Sequence, residues 1–251
     1  MNANCVCLIC FKPNDIWIEF LSKFTNYNIY IIIDDNSKDY KEQYVSFINI
    51  NIVQIKNEES IKNGFLNTDF KRNGHGWNKA LYYFSTIYIN YSYVWFIEDD
   101  VFFNNEKTLM DIDSQYSSID LLTTVFRENK LGKKDHWHWH WIDIQFPPPY
   151  LAAMCCASRM SLCVLLKIKE YANTYKTLYF HEALSPTICQ FYKYTYKCPI
   201  ELRYIIYRRD YEDTDINETH LFHPIKDISK HTYYRTMLSE LEKKLYPISS
   251  A

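Results

Sequence analysis

A chain of 251 residues with 28 Lys+Arg against 30 Asp+Glu carries a formal charge of -2, which excludes a dedicated nucleic-acid binder built on a basic excess. With 47% apolar and 23% charged residues it is not a disordered chain, and at this length folding buries roughly 70–75% of the unfolded surface.

The longest mostly apolar stretch, residues 151–166, is broken by Ser158 and Arg159, and an integral membrane segment needs about 20 apolar residues. The opening MNANCVCLICF has neither a basic segment nor a small-residue cleavage site, so no signal peptide and a cytoplasmic protein are expected. The 8 cysteines do not supply the two C-x2-C pairs of a zinc site, and they read as buried thiols of a reducing compartment.

In chain order, 5–11 is a short apolar run read as a buried strand. Asn14 or Asp15 caps a helix with Ile16, Trp17, Phe20, Leu21 and Phe24 at helical spacing. A β-branched strand over 28–33 stops at Asp34-Asp35-Asn36-Ser37, which is turn chemistry. A weaker strand covers 47–55. A helix over 76–88 carries Trp77, Ala80, Leu81, Phe84 and Ile87 on one face. The apolar run 93–97 then stops at Glu98-Asp99-Asp100. Further on, strands are expected over 120–125, 151–157 and 177–180, with helices over 160–171, 182–192 and from 227 or 229 to 245, before Pro247. Strands apolar on both sides alternating with helices indicate an α/β fold, a mixed, mostly parallel central sheet flanked by helices.

In such sheets ligands bind outside the carboxyl ends of the strands. Two strands end in acidic clusters, which would land on one edge. Hard oxygen ligands there suit Mg2+ or Mn2+. Asp111-Ile-Asp113 and Asp213-Thr-Asp215 also match D-x-D, but only Glu98–Asp100 follows an apolar strand.

The order of these motifs resembles the GT-A (Rossmann-like) family of nucleotide-sugar-dependent glycosyltransferases, over roughly residues 5–226. The strand ending Ile33-Asp34-Asp35-Asn36-Ser37 is similar to the family's nucleoside-holding turn, with Asn36 where a Gly is usual. Lys71-Arg72-Asn73-Gly74-His75-Gly76-Trp77-Asn78-Lys79 looks like the helix opening near the nucleotide. Glu98-Asp99-Asp100 resembles a D-x-D variant whose last carboxylate, Asp100, ligates the metal. Ala157-Ser158-Arg159-Met160-Ser161 looks like the turn before the catalytic acid. Phe180-His181-Glu182 through Pro186-Thr187 is similar to the segment carrying the general base, and His223-Pro224-Ile225-Lys226 to the one supplying a late metal-binding His.

The resemblance implies a single domain over 1–251, with a nucleotide-binding half (1–105) and an acceptor-binding half (106–251). It implies transfer from a UDP-sugar or similar nucleoside-diphosphate sugar to a glycan, glycoprotein or other hydroxyl acceptor, inverting if Glu182 is the base. Asp100 would hold Mn2+ or Mg2+ with Glu98 or Asp99 and His223. Asp34 and Asp35 would hold the nucleoside, Asp99 being counted with them at the donor site. Elementary chemistry adds that Lys79 or Lys226 would stabilise charge on the leaving diphosphate, and that a carboxylate such as Glu182 suffices to deprotonate the acceptor.

The run His136-Trp137-His138-Trp139-His140-Trp141 would, on a strand, place its histidines on one face and its tryptophans on the other. Trp137, His138 and Trp139 would then line an acceptor site. Two rivals stand beside this reading: a zinc-dependent hydrolase or lyase using His136, His138 and His140, and a non-catalytic glycan-binding module using the tryptophans.

Overall fold

The computed structural model describes residues 4–67, 76–134 and 137–245. Four apolar runs form the parallel core of the sheet: β1 (Cys5–Cys10), β2 (Asn28–Ile33), β3 (Ile50–Gln54) and β4 (Tyr93–Glu98). With β5 (Leu121–Leu122), β8 (Ala157–Ser161) and β9 (Tyr196–Lys197), the described residues give a seven-stranded sheet of order β3-β2-β1-β4-β8-β5-β9, in which β8 alone runs backwards. Two small ribbons stand apart from it, β6 (Arg127–Asn129) with β7 (Tyr150–Ala152), and β10 (Tyr204–Ile205) with β11 (Phe222–His223).

Alternate residues of β1 enter different apolar layers, Cys5, Cys7 and Ile9 on one face and Val6, Leu8 and Cys10 on the other, as the period of two requires. The first layer is covered by α3 (Gly76–Tyr82), α5 (Leu162–Tyr175) and α6 (His181–Tyr192). The second is covered by α1 (Asp15–Leu21) and α4 (Glu106–Gln115). A short α2 (Asn57–Lys62) precedes α3, and α7 (Ile228–Leu245) packs through Tyr234 and Leu238 against Phe102 and Phe222. No helix among the described residues is long and apolar enough to cross a membrane.

Three expectations change. The strand expected over 151–157 is two strands, β7 and β8, so Ala157-Ser158-Arg159-Met160-Ser161 is a central strand rather than a turn. Its Arg159 is tolerated inside because Asp113 (2.9 Å) and the carbonyls of Tyr116 and Ile119 take its guanidinium protons. Residues 177–180 form a single bridge, Leu178 to Asn67, not a strand. The run 137–140 is a 3-10 turn with Trp137 at φ 53, not a strand.

Candidate active site

Because β1, β2 and β4 are parallel, their carboxyl ends share one edge. Asp34 follows β2 and Glu98 closes β4, with β1 between them, so about two strand spacings, roughly 10 Å, separate the two acidic tips. Both tips influence the Cys10 thiol at the end of β1. Burial raises that thiol, and Asp99 and Asp34 raise it further.

Each acid is held by a different neighbour. Trp77 of α3 donates its indole N–H to Glu98 Oε1 (2.5 Å), and Trp17 of α1 donates to the Asp99 carbonyl (2.8 Å). The Asn14 side chain that caps α1 accepts from Trp17 N, so the expected cap also sets this contact. Burial, then the charges of Asp100 and Glu98, raise Asp99 from 3.8 to about 6. α3 comes this close to the sheet through Gly76, where a Cβ would stand 2.7 Å from Ile9 Cγ2.

His223 arrives from a remote segment. Phe102 and Phe222 exchange backbone hydrogen bonds (2.9 Å each), and Ile225 N–H donates to the Asp100 carbonyl (2.7 Å). His223 Nε2 then lies 3.4 Å from Asp100 Oδ1, an ion-pair distance that leaves this buried oxygen without a hydrogen bond. Burial pulls the imidazole down, but the Asp100 and Glu98 carboxylates outweigh it and leave His223 raised. Glu98, Cys156 and His223 present donor atoms all within 4.8 Å of one another, the one such group of His, Cys, Asp and Glu among the described residues. Asp100, the expected first ligand, is not in that group, whereas Cys156, which sequence reasoning set aside, is. Its adjacency to Cys155 carried no spacing signal, and its carbonyl pairs with Glu98 N–H (2.9 Å) only once β8 runs antiparallel to β4.

Glu182 stands in the first turn of α6. Pro186 lies inside that helix and has no N–H for the Glu182 carbonyl, as its ring nitrogen requires. The freed carbonyl instead accepts from Ala153 N (2.8 Å), tying the helix start to the segment before β8. Burial, then the Glu98 charge, raise Glu182 from 4.5 to about 7, with Arg127 and His223 opposing. Arg127, which no sequence motif marks, reaches the site because β6 pairs it with Ala152 of β7.

On the nucleoside side the expectations divide. The Asp35 carboxylate closes its own turn, accepting from Ser37 N (2.9 Å), Ser37 Oγ (2.8 Å) and Tyr40 Oη (2.6 Å), which lower it to about 2. Asp34 is the more open of the two. Lys79 is a correction. Its side chain has 0% exposure and its ammonium binds Asp34 Oδ1 (2.8 Å) and the Asp34 carbonyl (2.7 Å), so it holds Asp34 and does not reach a diphosphate. Lys226 is exposed, just past His223. The segment 71–75 lies outside the described residues.

The aromatic run is also corrected. In the 3-10 turn Trp137 and His140 fall on one side, the His140 ring bonding the Trp137 carbonyl (2.9 Å). Trp137, His138 and Trp141 surround Phe180 at centroid distances of 5.9, 5.4 and 5.7 Å, immediately before His181 and Glu182. Trp139 is buried toward Tyr150, which removes it from an acceptor surface. Among the described residues His138 and His140 join no metal-holding group, and His136 lies outside them.

No protein-family model and no curated protein matches the chain. Among solved structures, the chain is similar to a 4-diphosphocytidyl-2C-methyl-D-erythritol synthase from Anaerococcus prevotii at 10% identity, with 79% of this chain and 89% of that one covered and a TM-score of 0.44. It is similar also to the mannosyltransferase Ktr4p from S. cerevisiae at 11% identity, over 74% of this chain and 65% of that one, with a TM-score of 0.40.

Proposed function

We propose that the chain is a metal-dependent transferase that moves a sugar from a nucleoside-diphosphate sugar, UDP-linked, to the hydroxyl of a glycan, glycoprotein or similar acceptor. The observation that carries this reading is convergence: Glu98–Asp100, Glu182 and His223 come from three distant segments to one edge of the sheet, where Glu182 is perturbed by Glu98 and His223. Acidic residues scattered on a surface do not tune one another in this way.

A cation fits the residues present. Asp100 Oδ1 is buried without a hydrogen bond and lies 3.4 Å from His223 Nε2, so His223 and Asp100 would hold Mn2+ or Mg2+, with Glu98 within 4.8 Å of His223 although Glu98 and Asp100 do not share one donor group. When bound, that ion neutralises charge developing on the leaving diphosphate. Asp34 would accept a hydrogen bond from the nucleoside, the roughly 10 Å between the two acidic tips leaving room for a nucleoside with its phosphates. Lys226 adds exposed positive charge beside His223. Glu182 takes the proton of the acceptor hydroxyl, and a value of about 7 suits a base working near neutrality. The half-buried Trp137 and Trp141 rings, packed on the buried Phe180, offer apolar surface beside it for a sugar face.

Melting the protein with UDP plus Mn2+, and with each alone, tests the reading. A ligand at a hundred times its Kd adds about 2.7 kcal/mol of stability. The expected result is a rise in Tm that needs both components and is lost in Asp100→Ala. If no nucleotide raises Tm with any divalent ion, the reading fails.

A further inference from the structure

We propose that Cys156 is itself a ligand of the cation at this edge, so that the donor set is sulfur, nitrogen and oxygen and selects Zn2+ or Co2+ over Mg2+. This rests on the cation assignment above and extends it to the identity of the ion.

The geometry is that of a poised ligand set. Around one zinc ion, bonds of about 2.0–2.3 Å put ligand atoms roughly 3–4 Å apart, and the Glu98, Cys156 and His223 donors all lie within 4.8 Å of one another. Small side-chain rotations close that difference while the backbone stays fixed. Glu98 N–H to the Cys156 carbonyl (2.9 Å) locks two of the three residues together, and the Phe102–Phe222 exchange locks the third.

The outer contacts also suit ligation. His223 Nδ1 lies 3.2 Å from the Ile206 carbonyl. Donation there keeps Nε2 as the bare nitrogen on the site side, the arrangement that metal-binding histidines share. Trp77 holds one oxygen of Glu98, and the Cys156 thiol meets the same carboxylate, so the two candidate ligands already face one another. The neighbouring Cys155 is different, its sulfur being engaged with the Ala153 carbonyl (3.3 Å), Thr123 Oγ1 and Ser185 Oγ (3.8 Å each). Coordination exchanges the Cys156 S–H proton for the ion, the proton leaving to solvent. A thiolate favours zinc-like ions, whereas Mg2+ prefers oxygen alone. Glu98, Cys156 and His223 fill three positions of a tetrahedral site, and the fourth falls to Asp100 or to a substrate oxygen.

The test uses the full chain, stripped with a chelator, in a Cys163→Ser/Cys198→Ser background so that the exposed and half-buried thiols do not contribute. Titration with Co2+ is expected to raise an intense near-ultraviolet sulfur-to-cobalt band that saturates at one equivalent, is erased by Zn2+ and survives excess Mg2+. Cys156→Ser should lose this band and keep weak visible cobalt bands. Zinc X-ray absorption of the unsubstituted chain should show one sulfur at about 2.3 Å, a readout that needs no variant at Cys156. Visible cobalt bands with no charge-transfer band, a band that persists in Cys156→Ser, or no cobalt spectrum at all overturns the inference. Melts of the same preparation with UDP plus Mn2+ and with UDP plus Zn2+ separate the two claims. A nucleotide shift without the sulfur band leaves the transferase standing and removes Cys156, and the sulfur band without a nucleotide shift does the reverse.

Discussion

Replacing Glu182 by Gln probes the site through stability, before any substrate is known. Burial and the Glu98 charge raise this carboxyl from 4.5 to about 7. A carboxyl raised on folding binds its proton more tightly in the folded state. Its favourable contribution is complete below the unfolded value and is lost as pH climbs through the folded one. Gln mimics the protonated acid and never ionises. Wild type and Glu182→Gln should therefore be equally stable near the lower value and diverge above it, the variant becoming the more stable. With 1.36 kcal/mol for each pH unit between the two values, the full gap is about 3 kcal/mol, and partial exposure trims it to about 2–3.

Urea denaturation at about pH 5 and about pH 8 reads this difference. From one to the other the gap should widen by about 2 kcal/mol, or about 0.7 M in midpoint for an m of about 3 kcal/mol/M. Asp99, also raised, is present in both proteins and cancels. Parallel pH profiles for the two proteins would refute the burial and charge coupling assigned to Glu182. The same substitution should cost transfer activity about 10²–10⁴-fold, so a variant that is both more stable and fully active would remove Glu182 as the base.

Lys79→Met should lower stability by about 3 kcal/mol by stranding Asp34, with part of it restored in Lys79→Met/Asp34→Leu; denaturant midpoints check both, and an unchanged midpoint contradicts the pairing. Asp100→Asn should remove the gain from UDP plus Mn2+, measured against the variant's own ligand-free melting temperature by calorimetry. Trp137→Ala should raise the acceptor KM and spare hydrolysis of the donor alone; equal loss of both would detach the aromatic surface from acceptor binding. Arg159→Met should cost about 3 kcal/mol, since Asp113 loses its counter-charge while keeping Asn4, Tyr27 and Trp95 as donors, and the Tyr116 and Ile119 carbonyls lose the guanidinium; chemical denaturation measures it.

The parallel strands were legible because burial on both faces writes a continuous apolar run, and Cys5–Cys10, Asn28–Ile33 and Tyr93–Glu98 all do so. β8 was not, because Ser158, Arg159 and Ser161 look like a turn. What permits Arg159 and Ser161 inside are partners supplied by the segment from Asp113 to Asp120, which no local window contains. Lys79 was misread for the same reason. On a helix buried along its whole length, a lysine survives only by meeting Asp34, and the pairing joins two elements. The alternation of His and Trp over 136–141 mimicked a strand, but the backbone of residues 137–140 closes into its own turn, with Trp137 at φ 53.

The reversal of β8 explains why the site has donors from both halves of the chain. Had the strand beside β4 been parallel, it would have finished at this edge, and its incoming segment would lie at the far end of the sheet. Running backwards, β8 begins where β4 ends, so Cys156 meets Glu98 across the ladder. The same segment, one turn earlier, gives Ala153 N–H to the carbonyl that Pro186 leaves free, and Glu182 is carried to the edge with it. One antiparallel strand thus brings a thiol and a tuned carboxylate to an acidic sheet edge, and Arg159 and Ser161, which made β8 hard to read, help hold it in place.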